Sequence, residues 1–259
     1  MQRLSLNQHQ PLHLTCLSTT DVIKALLIMN PTSQTLTNDS LAASWIPIIP
    51  SSEVSKAKNI ALGFIDGEEL AIWRAEDGTA QAWANRCPHR GLRFTLGRII
   101  NGRLSCAYHG WEYSANDGRC AAIPAHPQMP PPRNVCATTF KVTETNGMIW
   151  ASRSEPTSPP PQTNQTMFLR TLAVRAPRDF VAKRLVGQGW TQSDPNVLEG
   201  TIDGSNVTAF VSDAGNNLVL LHINVSHETG LAQVKKMHSA LRRLRQEVET
   251  CWISEGEDK

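Results

Sequence analysis

The chain has 259 residues, with 25 Lys and Arg against 23 Asp and Glu, and a formal net charge of +2 at pH 7. This balance produces no strong field of one sign, so we expect neither nucleic acid nor a membrane surface as a partner. The 6 cysteines are widely spread, and a chain of this length builds a core without disulfides, so we expect reduced thiols and a cytoplasmic protein. Its size favours two domains over one.

Residues 1–43 are polar and poorly periodic, and we expect them to form a loose N-terminal arm outside any core. The longest apolar run in this arm, residues 22–29, is too short and too interrupted to span a bilayer and lacks the flanks of a signal peptide. A second polar leader follows Met29, so the biological start is either Met1 or Met29.

Residues 44–153 contain short apolar runs separated by Asp-Gly and Asn-Gly dipeptides, which are typical of hairpin turns. The turns are predicted at 66–67, 77–78, 101–102 and 117–118, and the strands at 60–65, 70–74, 80–83 and 148–151. This pattern predicts an all-β domain, a small antiparallel barrel or sandwich.

Residues 154–166 are Pro-rich and polar, which predicts a semi-extended linker. Beyond it, residues 167–259 are predicted to form a smaller α+β domain, with strands at 168–175 and 217–225 and helices at 177–186 and 231–249. Apolar residues recur every three or four positions in the last helix, so we expect it to pack on a sheet. The basic residues off this stripe form either a solvated face or a docking face.

Two short motifs lie in the middle of the predicted β domain. Cys87-Pro88-His89 is followed, after 16 residues, by Cys106-Ala107-Tyr108-His109. Each motif supplies one thiolate and one imidazole, and two such loops can meet at one site. A Cys₂His₂ donor set suits either a two-iron cluster of the Rieske kind or a single zinc ion.

Three features favour the two-iron cluster over zinc. The C-x-H spacing sends the thiol and the imidazole of one loop to different positions, as two adjacent metal atoms require. Gly91 and Gly110 lie just beyond the histidines, and we expect glycine at these positions to let backbone N–H groups approach bridging sulfides closely. Both motifs also lie among strands, which is not the pattern of a zinc finger or ribbon.

At these residues the chain resembles the Rieske [2Fe–2S] proteins, over residues 44–151 and through the segment GWEYSANDGRCAAIP at 110–124. The resemblance implies that Cys87 and Cys106 bind one iron and that His89 and His109 bind the other. Leu92 and Tyr108 stand where respiratory Rieske proteins carry a disulfide. The chain is therefore similar to the disulfide-free class, found in bacterial oxygenases that hydroxylate aromatic rings or remove O- and N-methyl groups, although its C-terminal domain is short for them.

The resemblance implies transfer of single electrons, from a flavin reductase or a ferredoxin to a separate oxygenase, and it allows a homo-oligomer. No acidic residue lies between Asp77 and Glu112. The arginines of this stretch are Arg86, Arg90, Arg93, Arg98 and Arg103. They form either a docking face for an acidic redox partner or an ordinary solvated surface.

Oxygenases of this family also hold a mononuclear iron with two histidines and a carboxylate. The only closely spaced pair here is His222 and His227, with Asp213 or Glu228 as a hypothetical carboxylate. The flanking alternation predicts a strand, which sends these two imidazoles to opposite faces. We therefore expect surface or strand-edge histidines and no mononuclear Fe(II).

Two alternatives to an electron carrier stay open. One is a complete but divergent Rieske terminal oxygenase that holds its own iron, and the other is a protein of Rieske fold without enzymatic activity. The remaining cysteines near the motifs, Cys120 and Cys136, are outside the ligand spacing, so we expect buried, non-ligating thiols.

Overall fold

The structure is a computed structural model that describes residues 44–56 and 59–257. The predicted N-terminal arm, the alternative start at Met29, and Cys16 lie outside the described residues. In the part of the chain that is described, no helix combines the length and the apolar character needed to cross a membrane.

The first half of the described chain consists of short antiparallel strands. They are β1 (Ile46–Pro50), β2 (Ala61–Ile65), β3 (Glu68–Arg74), β4 (Ala80–Ala84), β5 (Arg98–Ile100), β6 (Arg103–Ser105), β7 (Glu112–Tyr113), β8 (Cys120–Ala122), β9 (Lys141–Thr145) and β10 (Met148–Ser152). They form three sheets with the orders β1-β10-β9, β2-β3-β4 and β5-β6-β7-β8. The predicted turns at Asp66-Gly67 and Asn101-Gly102 have positive φ at both residues, as two-residue hairpins require.

The second half forms one five-stranded antiparallel sheet with the order β11-β15-β14-β13-β12 and two helices. Its elements are β11 (Met167–Arg175), α1 (Arg178–Gly187), β12 (Thr191–Asp194), β13 (Val197–Ile202), β14 (Ser205–Asp213), β15 (Leu218–Val225) and α2 (Leu231–Glu257). The predicted fold class, an all-β half followed by a smaller α+β half, is confirmed. The sequence prediction omitted β12, β13 and β14 and ended α2 too early.

One face of the five-stranded sheet is covered by the two helices. Val181 and Leu185 of α1 and Met237, Leu241 and Val248 of α2 are buried in a single apolar cluster with the sheet. The predicted apolar stripe of the last helix is therefore the face that packs. Because these side chains fill the space between α2 and the sheet, the helix face contributes to the core.

The other face of the sheet packs against the first half. Met148 and Trp150 of β10 form a buried cluster with Val197 and Phe210, and the Trp150 and Phe210 rings meet edge to face with centroids 5.3 Å apart. The chain between the halves is tied to the first half, because the Trp45 indole donates to the Ser158 carbonyl. The domain boundaries at 153–154 and 166–167 stay a prediction.

Candidate metal centre

The two Cys/His motifs form a matched pair of loops, one after β4 and one after β6. In each loop the cysteine N–H donates to the carbonyl five residues later, and the N–H four residues later donates back to the cysteine carbonyl. The bonds are Cys87 N to Leu92 O (2.8 Å), Gly91 N to Cys87 O (2.7 Å), Cys106 N to Trp111 O (2.9 Å) and Gly110 N to Cys106 O (3.0 Å). The two loops, residues 87–92 and 106–111, therefore have the same hydrogen-bonded conformation, which we call an arch. Each arch presents one thiol and one imidazole.

Gly91 and Gly110 close these arches with left-handed backbone, at φ of 72° and 71°. A Cβ at Gly91 would meet no atom within 4 Å, and one at Gly110 would meet only Pro124 at 3.8 Å. Both positions therefore need glycine for its backbone freedom. Their own N–H groups donate to the cysteine carbonyls, and the approach of backbone N–H groups to bridging sulfides stays a prediction.

The two thiols lie inside the fold. Cys87 and Cys106 are each 3 % exposed and belong to the apolar cluster of the first half. Burial raises the pKa of Cys106, and the nearby Cys87 thiol raises it further, whereas the backbone N–H groups of Tyr108 and His109 lower it.

A tyrosine hydroxyl caps the other sulfur. Tyr113 is fully buried on β7, and its Oη lies 3.2 Å from the Cys87 Sγ. Burial raises the pKa of Tyr113, so its hydroxyl keeps its proton and is the donor whenever the Cys87 sulfur is a thiolate.

The two imidazoles lie at the surface end of the same site, with ring centroids 4.8 Å apart. His89 is half-buried and stacks on Trp111, with centroids 4.1 Å apart and an interplanar angle of 9°. His109 is exposed and stacks on Tyr108, with centroids 3.8 Å apart and an angle of 25°. Desolvation lowers the pKa of His89, with smaller contributions from His109 and Arg90, which favours the neutral imidazole that binds metals.

These donors fit a two-iron cluster. Among the described residues, no three His, Cys, Asp or Glu side chains are grouped as ligands of a single metal ion. The donor set instead divides into a buried thiol pair and a surface imidazole pair. A [2Fe–2S] cluster with two thiolates on one iron and two imidazoles on the other requires this division, whereas a tetrahedral zinc site requires all four ligands around one point.

The arginine-rich surface around the loops is only partly neutralised. Arg93 pairs with Glu69 at 2.6 Å and Arg103 pairs with Glu112 at 3.4 Å, and the hydrogen bond from Arg93 lowers the pKa of Glu69. Of the five arginines between Asp77 and Glu112, the other three, Arg86, Arg90 and Arg98, are exposed and form no ion pair with any residue the structure describes. Arg90 is the one of them that directly follows His89 in the chain, and its charge acts on that imidazole.

The remaining cysteines near the site differ from each other. Cys120 is buried, as expected, and lies opposite Tyr113 in the β7–β8 pair. Cys136 is exposed, so the expectation of a buried thiol there was wrong. Cys136 forms only an isolated bridge with Arg119, and this short pairing leaves its side chain at the surface.

His222 is not the surface or strand-edge residue that the sequence suggested. It lies in β15, which has β11 on one side and β14 on the other, and it is 2 % exposed. Its Nδ1 lies 2.8 Å from the Thr171 hydroxyl and its Nε2 lies 3.1 Å from the Ser212 hydroxyl. Ser212 donates its own proton to the Pro47 carbonyl, so Nε2–H donates to Ser212, and Nδ1 accepts from Thr171.

This bonding does not fit a mononuclear iron site at His222. Both of its ring nitrogens are already used, and burial lowers its pKa to about 4, so it is neutral but not free. His227 is exposed beyond the end of β15. Of the hypothetical carboxylates, Asp213 accepts the Gly215 N–H at 2.7 Å and Glu228 is exposed.

Three aromatic residues of the centre were missed as functional side chains. Tyr108, Trp111 and Tyr113 were present in the segment that carries the resemblance, but no role was assigned to them. Tyr108 directly precedes His109 in the sequence, and this adjacency could have indicated their contact. The contact of Trp111 with His89 and that of Tyr113 with Cys87 depend on how the two loops face each other, which spacing alone does not reveal.

Comparison with protein families shows what this half of the chain is similar to. Residues 44–146 match the family model of the Rieske [2Fe–2S] domain. Oxidoreductase NdmD of Pseudomonas putida is 42% identical over 116 residues, which cover 45% of this chain and 20% of NdmD. Methylxanthine N1-demethylase NdmA of Pseudomonas putida is 33% identical over 124 residues, which cover 45% of this chain and 35% of NdmA. The chain thus matches only a minor part of these relatives.

Among solved structures, dicamba monooxygenase has a similar fold, with a TM-score of 0.65 at 17% identity. The similarity covers 84% of this chain and 88% of that chain, so it includes the second half. At this identity the likeness concerns the fold alone.

Proposed function

Because residues 44–146 form a Rieske [2Fe–2S] domain, we propose that the chain is an electron-transfer component of an oxygenase system. In this proposal Cys87 and Cys106 bind one iron and His89 and His109 bind the other. The cluster accepts a single electron from a flavin reductase or a ferredoxin and passes it to a separate oxygenase that holds a mononuclear iron. The partition of the four donors into a buried thiol pair and a surface imidazole pair carries the proposal.

The protein's own groups prepare the site for this task. Apolar packing keeps water from the thiols. The hydroxyl of Tyr113 beside the Cys87 sulfur and the N–H groups of Tyr108 and His109, which lower the pKa of Cys106, favour negative charge on sulfur. The imidazoles at the surface give the shortest exit for an electron. When bound, the cluster supplies the one-electron chemistry itself.

The surface charge supports an acidic partner. Arg86, Arg90 and Arg98 are exposed around the loops, and electrostatic complementarity speeds the encounter of redox proteins. In this proposal Arg90→Gln slows reduction by the donor protein at low ionic strength. The matched control is Arg175→Gln, which removes an exposed arginine of the second half.

A second candidate function is a complete terminal oxygenase, because the fold likeness to dicamba monooxygenase extends over most of the chain. The hydrogen bonds at His222 weigh against it, since they use both ring nitrogens. A terminal oxygenase would therefore require a mononuclear iron that is bound by other residues of the second half.

Iron quantitation tests the two candidates. The chain is reconstituted with sulfide and excess Fe(II), desalted, and analysed for iron and acid-labile sulfide. We expect two irons and two sulfides per chain and a rhombic signal on reduction in electron paramagnetic resonance (EPR). A third tightly bound iron per chain would contradict the electron-carrier proposal, whether or not His222→Ala removes it.

A further inference from the structure

The two surface imidazoles are supported unequally. Trp111, the partner of His89, is half-buried and packs against the apolar cluster that contains the two thiols. Tyr108, the partner of His109, is 62% exposed. The indole is therefore fixed by the core, whereas the phenol of Tyr108 is bounded largely by solvent. Of the two stacked partners, only Trp111 holds its imidazole against a rigid support.

The Trp111–His89 stack places an imidazole over the face of an indole. The planes are 9° from parallel and the centroids are 4.1 Å apart, so rings about 3.5 Å apart from face to face are displaced sideways by about 2 Å. This is the offset arrangement that neutral aromatic pairs adopt. Such a stack becomes more favourable when the imidazole carries positive charge, as in a cation–π pair.

An imidazole that donates its lone pair to iron becomes partly positive, and more so when the iron is oxidised. We propose that Trp111 is a positioning residue that holds the plane of His89 and stabilises the oxidised cluster, and so lowers its reduction potential. This inference rests on the proposed function, because it requires His89 to bind iron. It assigns to Trp111 an effect opposite in sign to that of Tyr113, whose hydroxyl faces the sulfur of Cys87.

The test compares Trp111→Leu and Trp111→Phe with wild type in the reconstituted full chain. Ile99→Ala is the matched control, because Ile99 packs against the same apolar cluster as Trp111. The midpoint potential is measured by dye-mediated titration, and the nitrogen hyperfine couplings of the two imidazoles by pulsed EPR.

For Trp111→Leu we expect the ratio of reduced to oxidised cluster at a fixed ambient potential to rise roughly two- to fivefold, the effect of losing one exposed cation–π contact. One of the two nitrogen couplings should change as well, because His89 loses the support that fixes its plane. Trp111→Phe should keep most of the wild-type potential, and Ile99→Ala should keep all of it.

A loaded Trp111→Leu protein with unchanged or lower potential, or with both couplings unchanged, overturns the inference and leaves the proposed function intact. If that variant does not retain the cluster, Trp111→Phe and Trp111→Met are compared instead. The expected order of potentials is wild type below Phe below Met, and any other order overturns the inference. A wild-type chain that binds no cluster overturns the proposed function itself.

Discussion

His89 and His109 of the first half differ from His222 of the second half in how their ring nitrogens are bonded. In the first half, His89 and His109 are covered on their ring faces by Trp111 and Tyr108. Within the described chain, no hydrogen bond involves their ring nitrogens. In the second half, His222 is enclosed by a sheet, and hydroxyl groups occupy both of its ring nitrogens.

This contrast shows that the bonding of the nitrogens decides which histidines are available to a metal. Stacking stabilises a neutral imidazole through its faces and leaves the nitrogen lone pair in the ring plane free. In His222 that lone pair accepts from Thr171, and the other ring nitrogen donates its N–H to Ser212, so both nitrogens hold strands together. The four predictions that follow test this contrast, beginning with the largest expected effect.

Removing a thiol from the first half should abolish the centre. In Cys87→Ser we expect iron and acid-labile sulfide to fall to background and the rhombic EPR signal to disappear, because one iron loses a thiolate ligand. Cys136→Ser is the control, since it removes an exposed thiol of the same half, and it should retain both irons. A serine variant at Cys87 that kept the signal would refute the ligand assignment.

Removing His222 should instead affect stability. His222→Ala leaves a buried cavity and two hydroxyl groups without their partner, which should cost roughly 2–4 kcal/mol of the free energy of unfolding. The iron content per folded chain should stay at that of wild type. Urea unfolding measures the first quantity, and His227→Ala, at an exposed position, should change it by less than about 0.5 kcal/mol.

The same residue predicts a dependence on pH. Burial lowers the pKa of His222 to about 4 from a usual value of 6.5, so between these values the unfolded chain binds the proton more readily. The stability due to neutral His222 is complete above pH 6.5 and is lost as the pH falls towards 4, by roughly 3 kcal/mol in all.

The measurement for this prediction is the stability difference between wild type and His222→Gln at several pH values. Taking the difference removes the contributions of groups that titrate alike in both proteins. The difference should shrink as the pH falls from 7 to 4. A difference that stayed constant with pH would show that His222 is not held neutral by burial.

The smallest of the four effects concerns Tyr113. Tyr113→Phe removes the hydrogen bond to the Cys87 sulfur, which stabilises the more negative, reduced cluster. We expect the midpoint potential to fall by roughly 40 mV, the equivalent of about 1 kcal/mol for one electron. Both irons should be retained, and a potential equal to or above that of wild type would contradict this role of the hydroxyl.

Much of the first half could be predicted from its sequence, because its signals are local. Asp66-Gly67 and Asn101-Gly102 form turns with positive φ at both residues, and the two Cys/His loops are contiguous motifs. Fewer elements of the second half were predicted from its sequence. Asp203-Gly204 also has positive φ at both residues and joins β13 to β14, and this signal was present in the sequence but not used.

Other features depend on tertiary contacts that no local pattern shows. The helix α2 extends to Glu257, beyond the predicted end at residue 249, where Trp252 packs edge to face on Phe180 with ring centroids 5.2 Å apart. The sequence prediction that His222 lies at a surface or strand edge rested only on its spacing to His227. Its burial follows from the packing of β1 on the sheet, through the bond from Ser212 to the Pro47 carbonyl.

The matched arches have a consequence for the lifetime of the cluster. Each arch carries one thiol and one imidazole, so under the proposed ligation each arch binds both irons. Opening either arch would remove one ligand from both irons at once and leave each iron with one ligand from the other arch. The two backbone hydrogen bonds within each arch therefore protect the ligation of both irons together.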